Sequence, residues 1–123
     1  MTKKTMTKWV KALRSGKYKQ GRLNLKYSYK GEMLYCCLGV LADVTDCRLN
    51  KIIVNGLGEV WDSQARDGLL PPAQEKRLGI TASAQAVLAN LNDRQDKPQS
   101  FKRIATFIEK NYTKFSTWRK DTK

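Results

Sequence analysis

Basic side chains are concentrated at the two ends of the chain. Residues 1–31 contain ten lysines and arginines and no aspartate or glutamate. Residues 99–123 contain seven basic residues against Glu109 and Asp121. Residues 32–98 contain seven basic and nine acidic residues, so the net charge of +13 arises at the ends. Because lysine and arginine neutralise phosphate groups, this distribution indicates a surface that meets a negatively charged partner.

The candidate polyanion-binding residues form two groups, one near each end of the chain. The first group contains Lys8, Lys11, Arg14, Lys17, Lys19, Arg22 and Lys26, and the second contains Lys102, Arg103, Lys110 and Lys114. The candidate residues for stacking on nucleic-acid bases are Tyr18, Trp61 and Trp118. Acidic proteins and anionic nucleotides are attracted by the same charge, so the ligand class stays open at this point.

The cysteines are the residues with the widest covalent and metal chemistry. Adjacent side chains of a helix or strand point in different directions, so Cys36 and Cys37 cannot grip one metal ion together. With Cys47 they number three, whereas a zinc site made only of thiolates needs four. We expect the pair to be buried, although a nearby lysine or helix N-terminus would make a thiol more reactive.

Most routes to catalysis are closed by composition. The chain contains no histidine, which excludes an imidazole base and a Ser-His-Asp or Cys-His nucleophile. Its glycines form neither a phosphate-binding loop nor a dinucleotide fingerprint. Asp43 and Asp46 can share a helix face, but a two-metal nuclease site needs more acidic ligands. We therefore predict a protein that is not an enzyme and that uses no cofactor and no metal.

Hydrophobic periodicity predicts the N-terminal elements that carry the first basic group. Residues 5–15 form an amphipathic helix ending at Gly16, with an apolar side made of Met6, Trp9, Val10 and Leu13. Residues 22–30 alternate like a half-buried strand with an apolar face of Leu23, Leu25, Tyr27 and Tyr29. Lys30-Gly31 then turns the chain into a second strand through Tyr35. An alternative is that the lysines only protect an edge strand from aggregation.

The central third is predicted to contain a buried helix and a hairpin. Residues 36–44 are apolar, and Gly39 within this helix indicates close approach of a neighbouring element. Residues 52–54 form a strand that enters a tight turn at Asn55-Gly56 and returns through Val60 and Trp61. Pro71-Pro72 begins a short helix.

The last third is predicted to be helical, with one loop. Thr81 caps a helix that reaches Leu91, and residues 92–99 form a polar loop. Ser100 caps an amphipathic C-terminal helix. Its apolar stripe contains Phe101, Ile104, Ala105, Ile108, Tyr112 and Phe115, with Trp118 at the edge.

These elements predict one α+β domain, a short antiparallel sheet packed against helices. The length suits a single domain, and we expect only residues 1–4 and 119–123 to be flexible. No apolar run approaches the roughly 20 residues needed to cross a bilayer. The N-terminus lacks the apolar stretch of a signal peptide. We expect a cytoplasmic protein without a membrane partner.

Four motifs stand in order along the chain: residues 9–21 (WVKALRSGKYKQG), 35–41 (YCCLGVL), 91–93 (LND) and 100–109, which contains Ser-Phe, Ile-Ala and Ile-Glu pairs. Together they resemble a family of small, mostly uncharacterised proteins of tailed bacteriophages and prophages. Residues 94–99 lack the glycine of the family pattern, and Ala42 stands where a cysteine often follows. The resemblance implies an origin in a phage and action in the host cytoplasm.

We hypothesise a non-enzymatic phage accessory protein that binds nucleic acid, or a host defence complex containing nucleic acid, through its basic surface. One alternative is an inhibitor that docks on an acidic surface of a host protein, using aromatic or arginine anchors. Another is a sponge that sequesters an anionic nucleotide signal in a concave pocket.

Overall fold

A five-stranded mixed sheet and five α-helices make up the part of the chain that our computed structural model describes, residues 1–54, 58–62, 68–94 and 96–120. The helices are α1 Lys3–Arg14, α2 Cys37–Val44, α3 Pro72–Leu78, α4 Ala82–Asp93 and α5 Phe101–Asn111. The strands are β1 Lys19–Gln20, β2 Lys26–Tyr29, β3 Glu32–Tyr35, β4 Asn50–Val54 and β5 Gly58–Asp62. The predicted α+β class is confirmed.

The sheet has the strand order β1-β3-β2-β5-β4. Every neighbouring pair is antiparallel except β1 and β3, which pair in parallel over two residues. The predicted hairpin of the central third is confirmed, with Ile52 opposite Val60, and its turn at Asn55-Gly56 lies outside the described residues. The two-residue strand β1 was not predicted, because it is too short to carry a pattern.

Helix α1 is an amphipathic helix fixed at both ends. The Thr2 hydroxyl oxygen accepts a hydrogen bond from the Thr5 amide at 3.2 Å, and Gly16 follows the helix with φ of +78°. Met6, Trp9, Val10 and Leu13 are buried, as predicted. The flexibility expected of residues 1–4 stays a prediction. The Met1 ammonium donates to the Gly79 carbonyl at 3.0 Å, and the helix already begins at Lys3.

The strand predicted over residues 22–30 is shorter than its alternation implies. Only Lys26–Tyr29 pairs as a strand, and the expected apolar face is broken, because Leu23 is 67% exposed and Tyr29 is 46% exposed. Leu23 has φ of +71°, and its amide donates to the Asp93 carboxylate at 3.1 Å. This contact with α4 takes the place of strand pairing. The turn at Lys30-Gly31 is confirmed, with positive φ at both residues as a type I′ hairpin requires.

Helix α2 is buried and packs directly on the backbone of the segment before β2. The carbonyl oxygen of Leu25 accepts a hydrogen bond from the Cys36 amide at 3.1 Å. A Cβ atom at Gly39 would overlap that same carbonyl group. The predicted close approach at Gly39 is therefore confirmed, and the neighbour is the Leu25 backbone.

The end of α4 corrects a second prediction. Asn92, expected in a loop, belongs to the last turn of the helix and is fully buried. Its Oδ1 accepts from the Cys37 amide at 3.2 Å and from Gln20 Nε2 at 3.0 Å. Its Nδ2 donates to the Gly21 carbonyl at 2.8 Å. One amide side chain thus joins α4 to β1 and to the start of α2.

Helix α5 begins as predicted, with the Ser100 hydroxyl oxygen accepting from the Arg103 amide at 3.3 Å. The α-helix ends at Asn111, and a 3₁₀ turn over Tyr112–Lys114 follows. This turn redirects the chain so that Phe115 is buried and Tyr112 is only half-buried. Of the C-terminal residues expected to be flexible, Arg119 and Lys120 are exposed and 121–123 lie outside the described residues.

The contact between Gly39 and Leu25 predicts a large effect of one methyl group. We expect Gly39→Ala to lower the free energy of unfolding by about 3 kcal/mol or more, because backbone would have to move. Gly16→Ala is the control, since its Cβ meets no atom within 4 Å and only the positive φ opposes it, at roughly 1 kcal/mol. Urea unfolding measures both, and equal losses would contradict this packing.

Candidate polyanion-binding surface

Helices α1 and α5 pack side by side and run antiparallel. Near the middle of α1, the Trp9 ring meets the Phe115 ring at 6.4 Å between centroids. Near its end, Arg14 Nη2 lies 3.3 Å from the Thr106 hydroxyl and 2.5 Å from the Glu109 carboxylate. Residues later in α1 thus contact residues earlier in α5, as in an antiparallel pair of helices. This packing brings the predicted basic residues of α1 next to those of α5.

We call the six predicted basic residues that lie on these two helices the helical basic surface. Its members are Lys8, Lys11 and Arg14 on α1 and Lys102, Arg103 and Lys110 on α5, all exposed. Helix α1 contains no carboxylate, and α5 contains one, Glu109. Lys114 is exposed on the 3₁₀ turn that continues α5. The charge predicted from sequence is thus displayed on two packed helices.

The single carboxylate of these helices is paired. Arg14 holds Glu109, which raises the pKa of the arginine and lowers the pKa of the glutamate. Both groups are exposed, so the pair adds little stability. Its consequence is electrostatic, because the one negative charge of the surface is neutralised by Arg14. The Arg14 guanidinium is therefore engaged in a contact between the two helices and is less available to bind a phosphate.

The segment after α1 extends this basic region toward the start of α5. Lys17, Lys19 and Arg22 are exposed, and Lys19 is paired with Glu32. Gln20 Nε2 donates to the Gln99 carbonyl at 2.8 Å, which places this segment beside the first turn of α5. Lys17 and Arg22 thus lie near the end of the helical basic surface.

Lys26 lies on the sheet and not on the helical surface. Its ammonium is 5.0 Å from the centroid of Trp61 and 5.6 Å from that of Tyr35. Lys51, which sequence reasoning missed, lies 5.7 Å from the Trp61 ring and is paired with Glu59 at 2.7 Å. Across the sheet, Tyr35 pairs with Lys26, Lys26 with Trp61, and Trp61 with Lys51. The sequence alone does not indicate this set of neighbours, because it depends on the strand register.

The three candidate stacking residues have different environments. Trp118 is 7% exposed and packs edge-on to Phe115 at 6.2 Å, so that prediction is wrong and the ring belongs to the core. Tyr18 is half-buried, donates to the Asp43 carboxylate and packs edge-on to Tyr35; burial and Asp43 raise its pKa to about 12. Trp61 is half-buried with lysines over its ring. Trp118 is buried because the 3₁₀ turn after α5 directs the chain back toward the core.

Both thiols of the Cys36–Cys37 pair are packed in the core, as predicted. Burial raises the pKa of Cys36 to about 12 and that of Cys37 well above its usual value. Cys36 caps α2, its sulfur accepting from the Gly39 amide at 3.4 Å. In the described part of the chain, no three cysteine, aspartate or glutamate side chains cluster as metal ligands. No helix there has the length and apolarity to cross a membrane.

Comparison with known proteins gives one match. A family model described as a domain of unknown function, DUF8296, matches residues 1–51, which span α1, the first three strands and α2. The matched segment includes the first basic group and excludes α5. No curated protein and no solved structure matches the chain.

The burial of the cysteine pair predicts a simple labelling pattern. At pH 8 we expect a thiol reagent such as DTNB to modify one thiol per folded chain, the half-buried Cys47. Cys36 and Cys37 should react only on unfolding, because their thiolates are disfavoured by burial. Absorbance of the released thiolate counts the groups. Fast reaction that survives in Cys47→Ser would show that the pair is accessible.

Proposed function

We propose that this protein binds nucleic acid through its helical basic surface and acts without catalysing a reaction. The observation that supports this most is the packing of α1 against α5, two helices whose exposed faces carry many cations and one carboxylate that is already paired. Such a field attracts a polyanion and releases its counterions on binding.

The dimensions of the surface suit several phosphate contacts. Helix α1 has 12 residues, and at 1.5 Å per residue it is about 18 Å long, the axial length of about five base pairs. Because the lysines stand on helices whose apolar sides are packed, the fold fixes the spacing of their backbone positions. Lysine and arginine bind phosphate oxygens whatever the base sequence, so we expect contacts to the phosphate backbone to supply most of the binding.

The resemblance of several motifs to phage proteins supports a biological setting for this activity. In this proposal the protein is a phage accessory protein in the cytoplasm of the infected cell. Its target is nucleic acid itself or a host defence complex that contains nucleic acid. The step from binding to countering defence rests on that resemblance alone.

A second candidate function, an inhibitor that docks on an acidic host protein, has its own supporting feature. A groove of about 550 Å³ runs along α4, lined in part by Ala86, Val87 and Trp118, with Lys120 also in its lining. Apolar area of this kind contributes to protein contacts more than to nucleic-acid contacts. Nuclease treatment of a lysate separates the two functions, because only the inhibitor keeps a stoichiometric protein partner.

The proposed function predicts a salt dependence that responds to position and not only to charge. For a DNA duplex we expect log Kd to rise linearly with log salt, and the slope should fall by roughly 1.8 in the double variant Lys102→Gln/Lys110→Gln, about 0.9 per lost phosphate contact. Fluorescence anisotropy across a salt series measures this slope.

The control has the same change in charge at other positions. Lys30→Gln/Lys76→Gln removes two exposed lysines from the hairpin turn and from α3, and its slope should stay close to that of the original protein. If both double variants lose the same slope, only total charge matters and the helical basic surface is not the binding site.

A further inference from the structure

Three cationic side chains from two distant segments line one groove. Lys4 and Lys8 come from α1 and Arg77 comes from α3, and the groove between them has a volume of about 300 Å³. Thr5, Thr45 and Leu78 complete its lining. No carboxylate lines it among the described residues. Neither Lys4 nor Arg77 belongs to the groups predicted from sequence.

The walls of this groove are held by the fold. Lys4 and Lys8 are four residues apart, so they project from the same side of α1. The Met1 ammonium donates to the Gly79 carbonyl at 3.0 Å, which joins the start of α1 to the end of α3. Arg77, two residues before Gly79, is therefore kept beside the first two turns of α1.

Arg77 is oriented by neutral acceptors. Its Nη2 donates to the Thr45 carbonyl at 3.2 Å, and its Nε donates to the Gln74 side-chain oxygen. A guanidinium has five N–H donors, so these two bonds fix the plane and leave others. Because both acceptors are neutral, the positive charge of Arg77 is not compensated by them. A rigid guanidinium suits phosphate oxygens, and lysines add point charges.

We propose that the groove lined by Lys4, Lys8 and Arg77 binds a phosphate group carried by a nucleotide or by a nucleic-acid strand. Three positive charges held close together repel one another, and a phosphate group relieves that repulsion. The inference rests on the proposed function in one respect, that the natural ligand contains nucleotides. Lys8 belongs to both, so the groove shares one residue with the helical basic surface, whereas Lys4 and Arg77 belong to the groove alone.

The test is a titration of the ¹⁵N-labelled full chain, followed by NMR, with sodium phosphate at an ionic strength held constant with chloride. We expect saturable shifts confined to the amides around Thr5, Lys8, Thr45 and Arg77. Arg77→Gln should weaken phosphate binding about tenfold or more, the loss expected for hydrogen bonds to a charged group. Lys8→Gln is a second variant on the other wall and should weaken binding in the same direction.

Lys76→Gln is the matched control, since it removes the same charge from the adjacent position of α3 and does not line the groove. Its affinity for phosphate should stay within about twofold of the original. Shifts that do not saturate, or that fall equally in Arg77→Gln and Lys76→Gln, reflect general screening and overturn the proposal.

Further arms identify the source of the phosphate and separate the two proposals. Tighter binding of AMP than of inorganic phosphate supports a nucleotide, and tighter binding of a 5′-phosphorylated oligonucleotide than of its 5′-hydroxyl form supports a strand end. Saturable phosphate binding with no salt-dependent duplex binding would sink the proposed function and keep the groove. Duplex binding in a protein without saturable phosphate shifts would do the reverse.

Discussion

The hydrogen bond from the Trp9 indole to the Cys37 carbonyl, 2.9 Å long and fully buried, is the contact on which the rest of the arrangement depends. A buried indole N–H without an acceptor is costly, so this bond fixes the rotation of α1 about its axis. The same ring packs edge-on to Phe115, beyond the end of α5. One side chain thereby sets α1 against both α2 and α5, and the lysines opposite Trp9 on the helix must face outward.

The helices that carry the basic surface are held by their buried apolar sides, and the basic side chains lie on the opposite, exposed sides. Apolar side chains pack the helices together, the Trp9 hydrogen bond joins α1 to α2, and Asn92 joins α4 to the start of α2, whereas ion pairs at the surface contribute little. Like charges on adjoining helices repel, and the free energy gained by packing the core offsets this repulsion. A ligand that supplies negative charge relieves it. The same reasoning applies to the Lys4, Lys8 and Arg77 groove, where neutral groups orient the arginine.

Sequence patterns predict the elements well where a local period decides the structure. The burial of Met6, Trp9, Val10 and Leu13 follows from the 3.6-residue repeat, and Gly39 pointed to a close approach. The prediction that Leu23 lies on the apolar face of a strand is wrong, because its backbone amide bonds to Asp93, 70 residues away, and local alternation does not indicate that contact. The prediction that Trp118 is free to stack on bases is wrong, because a 3₁₀ turn after α5 redirects the chain. Arg77 reaches Lys4 and Lys8 only through tertiary contacts, so the groove has no sequence signature.

The claim that α1 and α5 together bind nucleic acid is tested most directly by lysine footprinting. The folded protein is acetylated with and without a short DNA duplex, and the modification rate of each lysine is read by mass spectrometry. The account predicts protection of Lys8, Lys11, Lys102 and Lys110, with unchanged rates at Lys30 and Lys76. Protection spread evenly over all lysines, or confined to Lys26 and Lys51 on the sheet, would contradict it.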